Sequence, residues 1–217
     1  MALITAAVCG CSPRPEAEQE PRERELFAMD TYMRLSAYGD PAQDALSAAA
    51  SEIERLDGLW SVTSGSGEIY ALNRDSRVEA SPETIEIIET AAAVSDLTGG
   101  ALDVTVYPAV RAWGFTTDAP RVPDDGELRA ITPLVDHRAV KINGAEITLS
   151  PGMAVDLGAL AKGYASQRAV DILRERGVTS GIVSLGGNVQ TLGKKPDGSE
   201  WNVAIQDPED PARYAGT

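Results

Sequence analysis

VKINGAEITL, at residues 140–149, is the stretch of sequence that decides the fold class. Apolar and polar residues alternate on both sides of Asn143-Gly144, and this dipeptide between two alternating runs is typical of a type I′ β-hairpin. Two strands joined by so short a turn must be antiparallel. The sequence therefore predicts antiparallel pairing, which a purely parallel α/β sheet lacks.

The rest of the chain mixes strand and helix patterns without a regular βαβ repeat. Residues 27–37 alternate apolar and polar side chains, as in a half-buried strand. Asp40-Pro41 and Ser81-Pro82 each supply a helix start. The apolar stripes after these starts are Leu46, Ala49, Ile53, Leu56 and Trp60 in the first helix, and Ile85, Ile88 and Ala92 in the second, which Gly99-Gly100 ends. With GIVSL and WNVAIQ as later strands, we expect an α+β or mixed α/β domain, with mixed or antiparallel sheets flanked by helices.

Charge and composition narrow the classes of partner. The chain has 217 residues, 43% of them hydrophobic and 24% charged, which suits a folded core. Its formal net charge of −14 would repel nucleic acid phosphates, and no basic patch is visible in the sequence. We expect no nucleic acid partner.

The N-terminal segment differs from the rest. MALITAAVCGCS is apolar, too short to span a bilayer, and resembles the end of a bacterial lipoprotein signal, with Cys11 as the lipidated residue. The charged, proline-bearing run that follows predicts a tether. Residues 1–25 are thus expected to be a signal remnant and tether, and residues 26–217 the folded domain, lipid-anchored to the membrane on the extracytoplasmic side of a bacterial cell envelope. A frayed apolar N-terminus is the alternative.

VDLGALAKGYA, at residues 155–165, places charges in a run of apolar and small residues. Asp156 ends an apolar strand, Gly158 permits a turn, and Lys162 falls in the first turns of a helix that Gly177 closes. Backbone N–H groups and a cation at a helix start can together bind an anion such as a phosphate. The spacing is not that of a Walker A loop. An ordinary ion pair between Asp156 and Lys162 is the alternative.

Two further segments contain residues that could contribute to the same ligand site as this loop. TGGALDVTVYPAVRAWGF, at residues 98–115, contains a glycine pair, a carboxylate and a polar Thr105 among aliphatic residues. SLGGNV, at residues 184–189, adds a second glycine pair at a strand end, where a missing Cβ lets the backbone approach a ligand closely.

FAMDTY, TGGALDVTVYPAVRAWGF, VDLGALAKGYA and VSLGGNV, in this order, resemble motifs of the bacterial FAD:protein FMN transferases of the ApbE type. The resemblance runs from about Phe27 to the end of the chain. It implies a Mg²⁺-dependent enzyme that transfers FMN from FAD to a threonine hydroxyl of an acceptor flavoprotein and releases AMP. It also implies the site residues, which are Met29, Ala101, Leu102, Asp103, Asp156 and Lys162 for FAD, and the main-chain carbonyl of Ala159 for the metal.

Each of these assignments has a structural alternative. Met29, Ala101 and Leu102 could be core residues, and Asp103 could cap the turn after the glycine pair. Trp113 and Phe115 are expected in the core, and His137, the only histidine, is expected to be a structural or surface residue.

The sequence departs from the family pattern at two places. Thr63 stands where the family often carries an aromatic residue, so it is only a weak candidate for flavin contact. The family's closing histidine, Asp and Thr motifs do not occur. We therefore expect a chain truncated at its C-terminus, with its catalytic residues beyond Thr217 and little transferase activity. A non-catalytic FAD-binding lipoprotein, acting as carrier or sensor, and a solute-binding lipoprotein unrelated to flavin are the alternatives.

Overall fold

The computed structural model describes residues 20–210 and 212–216. Cys11, the predicted lipidation site, lies outside these residues. The strands are β1 (Arg22–Ala28), β2 (Thr31–Ala37), β3 (Arg77–Glu79), β4 (Lys141–Asn143), β5 (Glu146–Thr148), β6 (Gly181–Leu185), β7 (Asn188–Leu192), β8 (Ile205–Gln206) and β9 (Tyr214–Gly216). The helices are α1 (Ala42–Trp60), α2 (Glu68–Asp75), α3 (Pro82–Leu97), α4 (Tyr107–Ala112), α5 (Asp125–Ile131) and α6 (Gly158–Glu175), with 3₁₀ turns at Thr132–Leu134 and His137–Ala139.

The main sheet has the strand order β1-β2-β6-β7, and every pair in it is antiparallel. Helix α1 packs against β1 and β2, α6 packs against β6 and β7, and the two helices contact each other. Alternate residues of β2 and β6, among them Met33, Leu35, Val183 and Leu185, are buried in the core. The predicted α+β class with antiparallel sheets flanked by helices is confirmed.

The hairpin predicted at Asn143-Gly144 is present as β4 and β5 in a second sheet of order β3-β5-β4. Its turn differs from the predicted one. Asn143 pairs with Glu146, so the turn residues are Gly144 and Ala145, and Gly144 alone has a positive φ, of 61°. Because type I′ requires positive φ at both central residues, the turn matches type II′, and the type I′ prediction is wrong.

The strand predicted over residues 27–37 is two strands. Met29 and Asp30 have φ values of 49° and 56° and form a two-residue turn in which Ala28 pairs with Thr31. This is the type I′ arrangement. The reversal places Phe27 opposite Tyr32 on the exposed face, at 60% and 83% exposure, with the two rings 5.1 Å apart. Strand β1 begins at Arg22, so the last residues of the predicted tether pair with β2.

Helices begin close to both predicted starts. Asp40, predicted as the N-cap of α1, does not occupy that position: Pro41 does, and it makes no side-chain capping hydrogen bond. Ser81 caps α3 by accepting a hydrogen bond from the Thr84 backbone N–H at 3.4 Å. The fully buried residues of α3 are Thr84, Ile87, Ile88, Ala91 and Ser95, so the buried stripe is rotated from the predicted one. Helix α2 was not predicted. Of WNVAIQ, only Ile205–Gln206 is a strand.

Candidate functional site

Two loops come together beside α6. One carries Asp103, and the other leads from Ala154 into the start of α6. The Asp156 backbone N–H donates to the Val104 carbonyl at 2.8 Å, and Val106 and Ala154 form a parallel bridge. The structure therefore joins the TGGALD and VDLGALAKG segments, which are about 50 residues apart in the sequence.

The Asp103 carboxylate organises its own turn. Its Oδ1 accepts from the Thr105 backbone N–H at 2.8 Å and from Thr105 Oγ1 at 2.6 Å, and its Oδ2 accepts from the His137 backbone N–H at 3.0 Å. Burial acts to raise the pKa of Asp103, but the hydrogen bonds from Thr105 and His137 outweigh it and lower that pKa. Asp103 is thus an ionised acceptor at neutral pH.

Asp156 stabilises the start of α6. Its Oδ1 accepts a hydrogen bond from the Gly158 backbone N–H at 2.7 Å, at the first residue of the helix. Within residues 20–210 and 212–216, Asp156 and Lys162 form no ion pair with each other. The ion-pair alternative for these two residues is therefore wrong.

Lys162 is a half-buried cation. In the described part of the chain its ammonium group has no hydrogen-bond or ion-pair partner. One helical turn later, Ser166 Oγ lies 2.8 Å from the Lys162 carbonyl oxygen and 2.8 Å from Asn188 Oδ1. Because residues four apart share a helix face, Lys162 lies on the side of α6 that faces the β6–β7 hairpin. An unpaired cation at this place is available to an anion.

The hairpin turns of the main sheet lie side by side at one end. Gly186 and Gly187 connect β6 to β7 with φ values of 58° and 91°, and the Gly186 N–H donates to the Tyr32 carbonyl at 3.3 Å. A Cβ at Gly186 would come within 2.5 Å of Thr31 Oγ1, whereas one at Gly187 would meet open space. Glycine at position 186 thus permits the approach of the neighbouring hairpin.

Met29 lies in that neighbouring turn. It is half-buried and packs against the hydrophobic core, which is the packing role given above as its alternative. Its position beside the Gly186-Gly187 turn keeps flavin contact as a prediction.

The remaining predicted FAD residues differ in exposure. Ala101 is exposed and Leu102 half-buried, so Ala101 is not a core residue. Thr63 is exposed in the loop before α2, where its hydrogen-bond partner is Ser61. Phe115 is 66% exposed and stacks on Trp113 with ring centroids 5.8 Å apart, so the expectation that Phe115 lies in the core is wrong.

Ala159, the predicted metal ligand, is exposed in the first turn of α6 and not in a separate tight turn. Its carbonyl oxygen can accept a helical hydrogen bond and retain a second lone pair. The part of the chain that the structure describes contains no group of three or more His, Cys, Asp or Glu side chains that could hold a metal ion.

His137 lies between two carboxylates. Nε2 is 3.0 Å from Asp96 Oδ1, and Nδ1 is 3.2 Å from Asp103 Oδ2. The contact with Asp96 raises the pKa of His137; burial opposes this, and Asp103 adds to the rise. The expected structural role is consistent with this position, but the sequence did not indicate the carboxylates, because they lie 41 and 34 residues away.

Asn73 is a residue that sequence reasoning missed. Its Nδ2 donates to the Val155 carbonyl at 2.8 Å, and its Oδ1 accepts from the Val155 N–H at 2.6 Å. Asn is a poor helix former, so its position inside a short helical pattern is the signal that could have identified it.

Among the described residues, no helix is long and apolar enough to cross a membrane.

The described residues form an α+β domain in which a carboxylate-bearing turn contacts the loop into α6, and α6 carries a lysine that has no partner among those residues. The sequence matches the ApbE family over residues 29–217, and the chain belongs to that family. It is 32% identical over 162 residues to an FAD:protein FMN transferase of Vibrio cholerae, covering 72% of this chain and 48% of the relative. A Klebsiella pneumoniae protein of the same name is 30% identical over 162 residues, covering 72% and 49%.

Solved structures agree with these matches. The ApbE protein of Thermotoga maritima superimposes with a TM-score of 0.84 at 28% identity, over 88% of this chain and 65% of that one. The flavin transferase ApbE of Vibrio cholerae gives 0.80 at 26% identity, over 91% and 68%. The chain spans about half the length of the first two curated relatives.

Proposed function

We propose that this chain carries the FAD-binding part of an FAD:protein FMN transferase. Two of the relatives it resembles bear that name, and the resemblance runs through both loops of the candidate site. The observation that carries the proposal is Lys162, a half-buried cation near the start of α6 that has no partner among residues 20–210 and 212–216. A diphosphate is the kind of group that such a cation and a helix start bind together.

In the proposed reaction, the oxygen of a threonine hydroxyl on an acceptor flavoprotein forms a bond to the phosphorus of the FMN half of FAD. The bond from that phosphorus to the bridging oxygen breaks, AMP leaves with this oxygen, and the hydroxyl proton is released. Lys162 would offset the negative charge that grows on the bridging oxygen. Asp156 and Asp103 would accept hydrogen bonds from hydroxyl or N–H groups of the nucleotide, and Met29, Ala101 and Leu102 would contact it.

Mg²⁺ is part of this proposal, and it would neutralise diphosphate charge when bound. The Ala159 carbonyl would be one of its oxygen ligands. Water and phosphate oxygens of the nucleotide would supply further ligands, as is usual for Mg²⁺.

A second candidate function is binding of FAD without chemistry. Binding alone would need only the cation of Lys162, which has no partner among the described residues, and the neighbouring start of α6. For either function we propose a lipid anchor at Cys11 on the extracytoplasmic side of the envelope, because MALITAAVCGCS resembles a lipoprotein signal. Labelling with a fatty-acid probe, lost in Cys11→Ser, tests that anchor.

The experiment compares two lysine variants. We expect Lys162→Met to weaken FAD binding about tenfold or more, measured by quenching of flavin fluorescence, because a charge-assisted contact to phosphate is lost. Lys194→Met is the matched control, since Lys194 is exposed and already paired with Glu200 at 2.6 Å. Equal affinities for both variants would contradict the proposal. AMP release from FAD that requires Mg²⁺ and an acceptor distinguishes the transferase from the carrier.

A further inference from the structure

The Asp96–His137–Asp103 cluster contains a nearly buried histidine to which the proposed reaction assigns no role. The imidazole side chain is 6% exposed, and its two nitrogens face oxygens of two different carboxylates at 3.0 and 3.2 Å. Asp96 belongs to the last turn of α3, whereas Asp103 is in the turn that joins the α6 loop. The ring therefore connects a rigid helix to the candidate site.

The geometry favours a doubly protonated ring. A neutral imidazole has one N–H donor, and its other nitrogen is an acceptor. Placed between two carboxylate oxygens, that second nitrogen would face another acceptor. The imidazolium donates to both, and both bonds are then charge-assisted. Asp103 Oδ2 also accepts from the His137 backbone N–H, so the backbone and ring of one residue contact the same oxygen.

The other charged groups near the ring do not reverse this preference. From α3, Glu89 lines the same small cleft as His137, together with apolar residues that include Val104 and Ile142. From the 3₁₀ turn, Arg138 reaches Asp96 Oδ1 at 3.4 Å. Asp136 accepts from the Arg138 N–H, and Lys141 donates to the Arg138 carbonyl. Carboxylates thus outnumber cations around the ring, and the protonated form is favoured.

We propose that His137 is a positioning residue that, as an imidazolium, joins Asp96 to Asp103 and so sets the orientation of the turn that receives the flavin nucleotide. This inference rests on the proposed function. His137 does not need to touch the nucleotide, because it acts through Asp103.

The proposal makes nucleotide binding dependent on pH in a defined direction. The contacts are complete below the pKa of His137, which is raised above its ordinary value, and one of them is lost as the pH rises through it. Thr105 still donates to Asp103 in the neutral state, so the turn loosens and does not unfold. We expect FAD affinity to fall about five- to tenfold across this transition.

The chain has a single histidine, so its titration can be followed by NMR of the ring Cε1–H without assignment. We expect a midpoint above about 6.5, and a lower midpoint in Asp96→Asn. In the unaltered chain and in Asp96→Asn, FAD affinity should decrease around the same pH at which the histidine of that protein titrates. Asp118→Asn, at an exposed carboxylate without an ion pair among the described residues, should leave both unchanged. His137→Gln keeps a donor but cannot titrate, and should make FAD affinity independent of pH.

Three results separate the possible failures. A titration midpoint of His137 at or below the ordinary histidine value would show that the imidazolium does not bind both carboxylates. A midpoint that Asp96→Asn leaves unchanged would show the same. A pH-dependent affinity that persists in His137→Gln overturns the positioning role. Absence of FAD binding at every pH in the unaltered chain overturns the proposed function and with it that role, and the NMR titration then still reports on the cluster itself.

Discussion

The side-chain amide of Asn73 pairs with the backbone of Val155 as a neighbouring strand would, one bond in each direction, at 2.8 and 2.6 Å. Val155 is fully buried and directly precedes Asp156. Helix α2 therefore fixes the peptide from which the loop into α6 departs.

We expect Asn73→Ala to destabilise the protein by about 2–4 kcal/mol, because it leaves a buried N–H and a buried C=O at Val155 without partners. Urea unfolding followed by circular dichroism measures the change. Asn143→Ala is the control, since Asn143 is exposed beside the β4–β5 turn, and it should stay within about 0.5 kcal/mol. A similar small change in both variants would show that the Asn73 bonds do not contribute to stability.

The two glycines of the β6–β7 turn should respond differently to substitution. Both have positive φ, so each change to alanine adds backbone strain of roughly 1–2 kcal/mol. Gly186→Ala should destabilise further, because its Cβ would meet Thr31, whereas Gly187→Ala faces open space. Thermal unfolding of the two variants gives the comparison. A double variant with Thr31→Ala should recover part of the Gly186→Ala loss, and strictly additive effects would refute the steric explanation.

Tyr164 provides a prediction at alkaline pH. Its ring packs edge-on against Trp60 at 5.1 Å, and its hydroxyl donates to Glu86 Oε2 at 2.8 Å. Burial, followed by this hydrogen bond, raises the pKa of Tyr164 to about 12. The unfolded chain ionises at a lower pH, near 10, so the stabilising contribution is complete below pH 10 and decreases as the pH rises towards 12.

Ultraviolet absorbance of tyrosinate tests this difference. Subtracting the titration of Tyr164→Phe from that of the unaltered protein should isolate one hydroxyl that ionises later than the rest. The unfolding free energy should also fall less steeply above pH 10 in Tyr164→Phe. A difference curve centred near pH 10 would contradict the assignment.

Local patterns were sufficient for much of the fold. The N-cap Ser81 with its following proline predicted the start of α3, and the glycine at position 144 predicted a hairpin, because caps and turns depend on residues within a few positions of each other. The same locality explains the errors. The alternation of apolar and polar residues over 27–37 continues across the two-residue turn between β1 and β2. Only the positive φ values of Met29 and Asp30 therefore reveal that turn.

By itself, the sequence determined the α+β class, the family motifs and the segments that carry the candidate site, because each depends on residues that are neighbours in the sequence. Only the tertiary structure decided which side chains meet. His137 contacts carboxylates from two distant segments, and Asn73 contacts Val155 across 82 residues. Lys162 has no partner in the part of the chain that the structure describes. The physical reason is that hydrogen bonds and ion pairs depend on distance in space, which the packing of helices on sheets sets and local residue order does not.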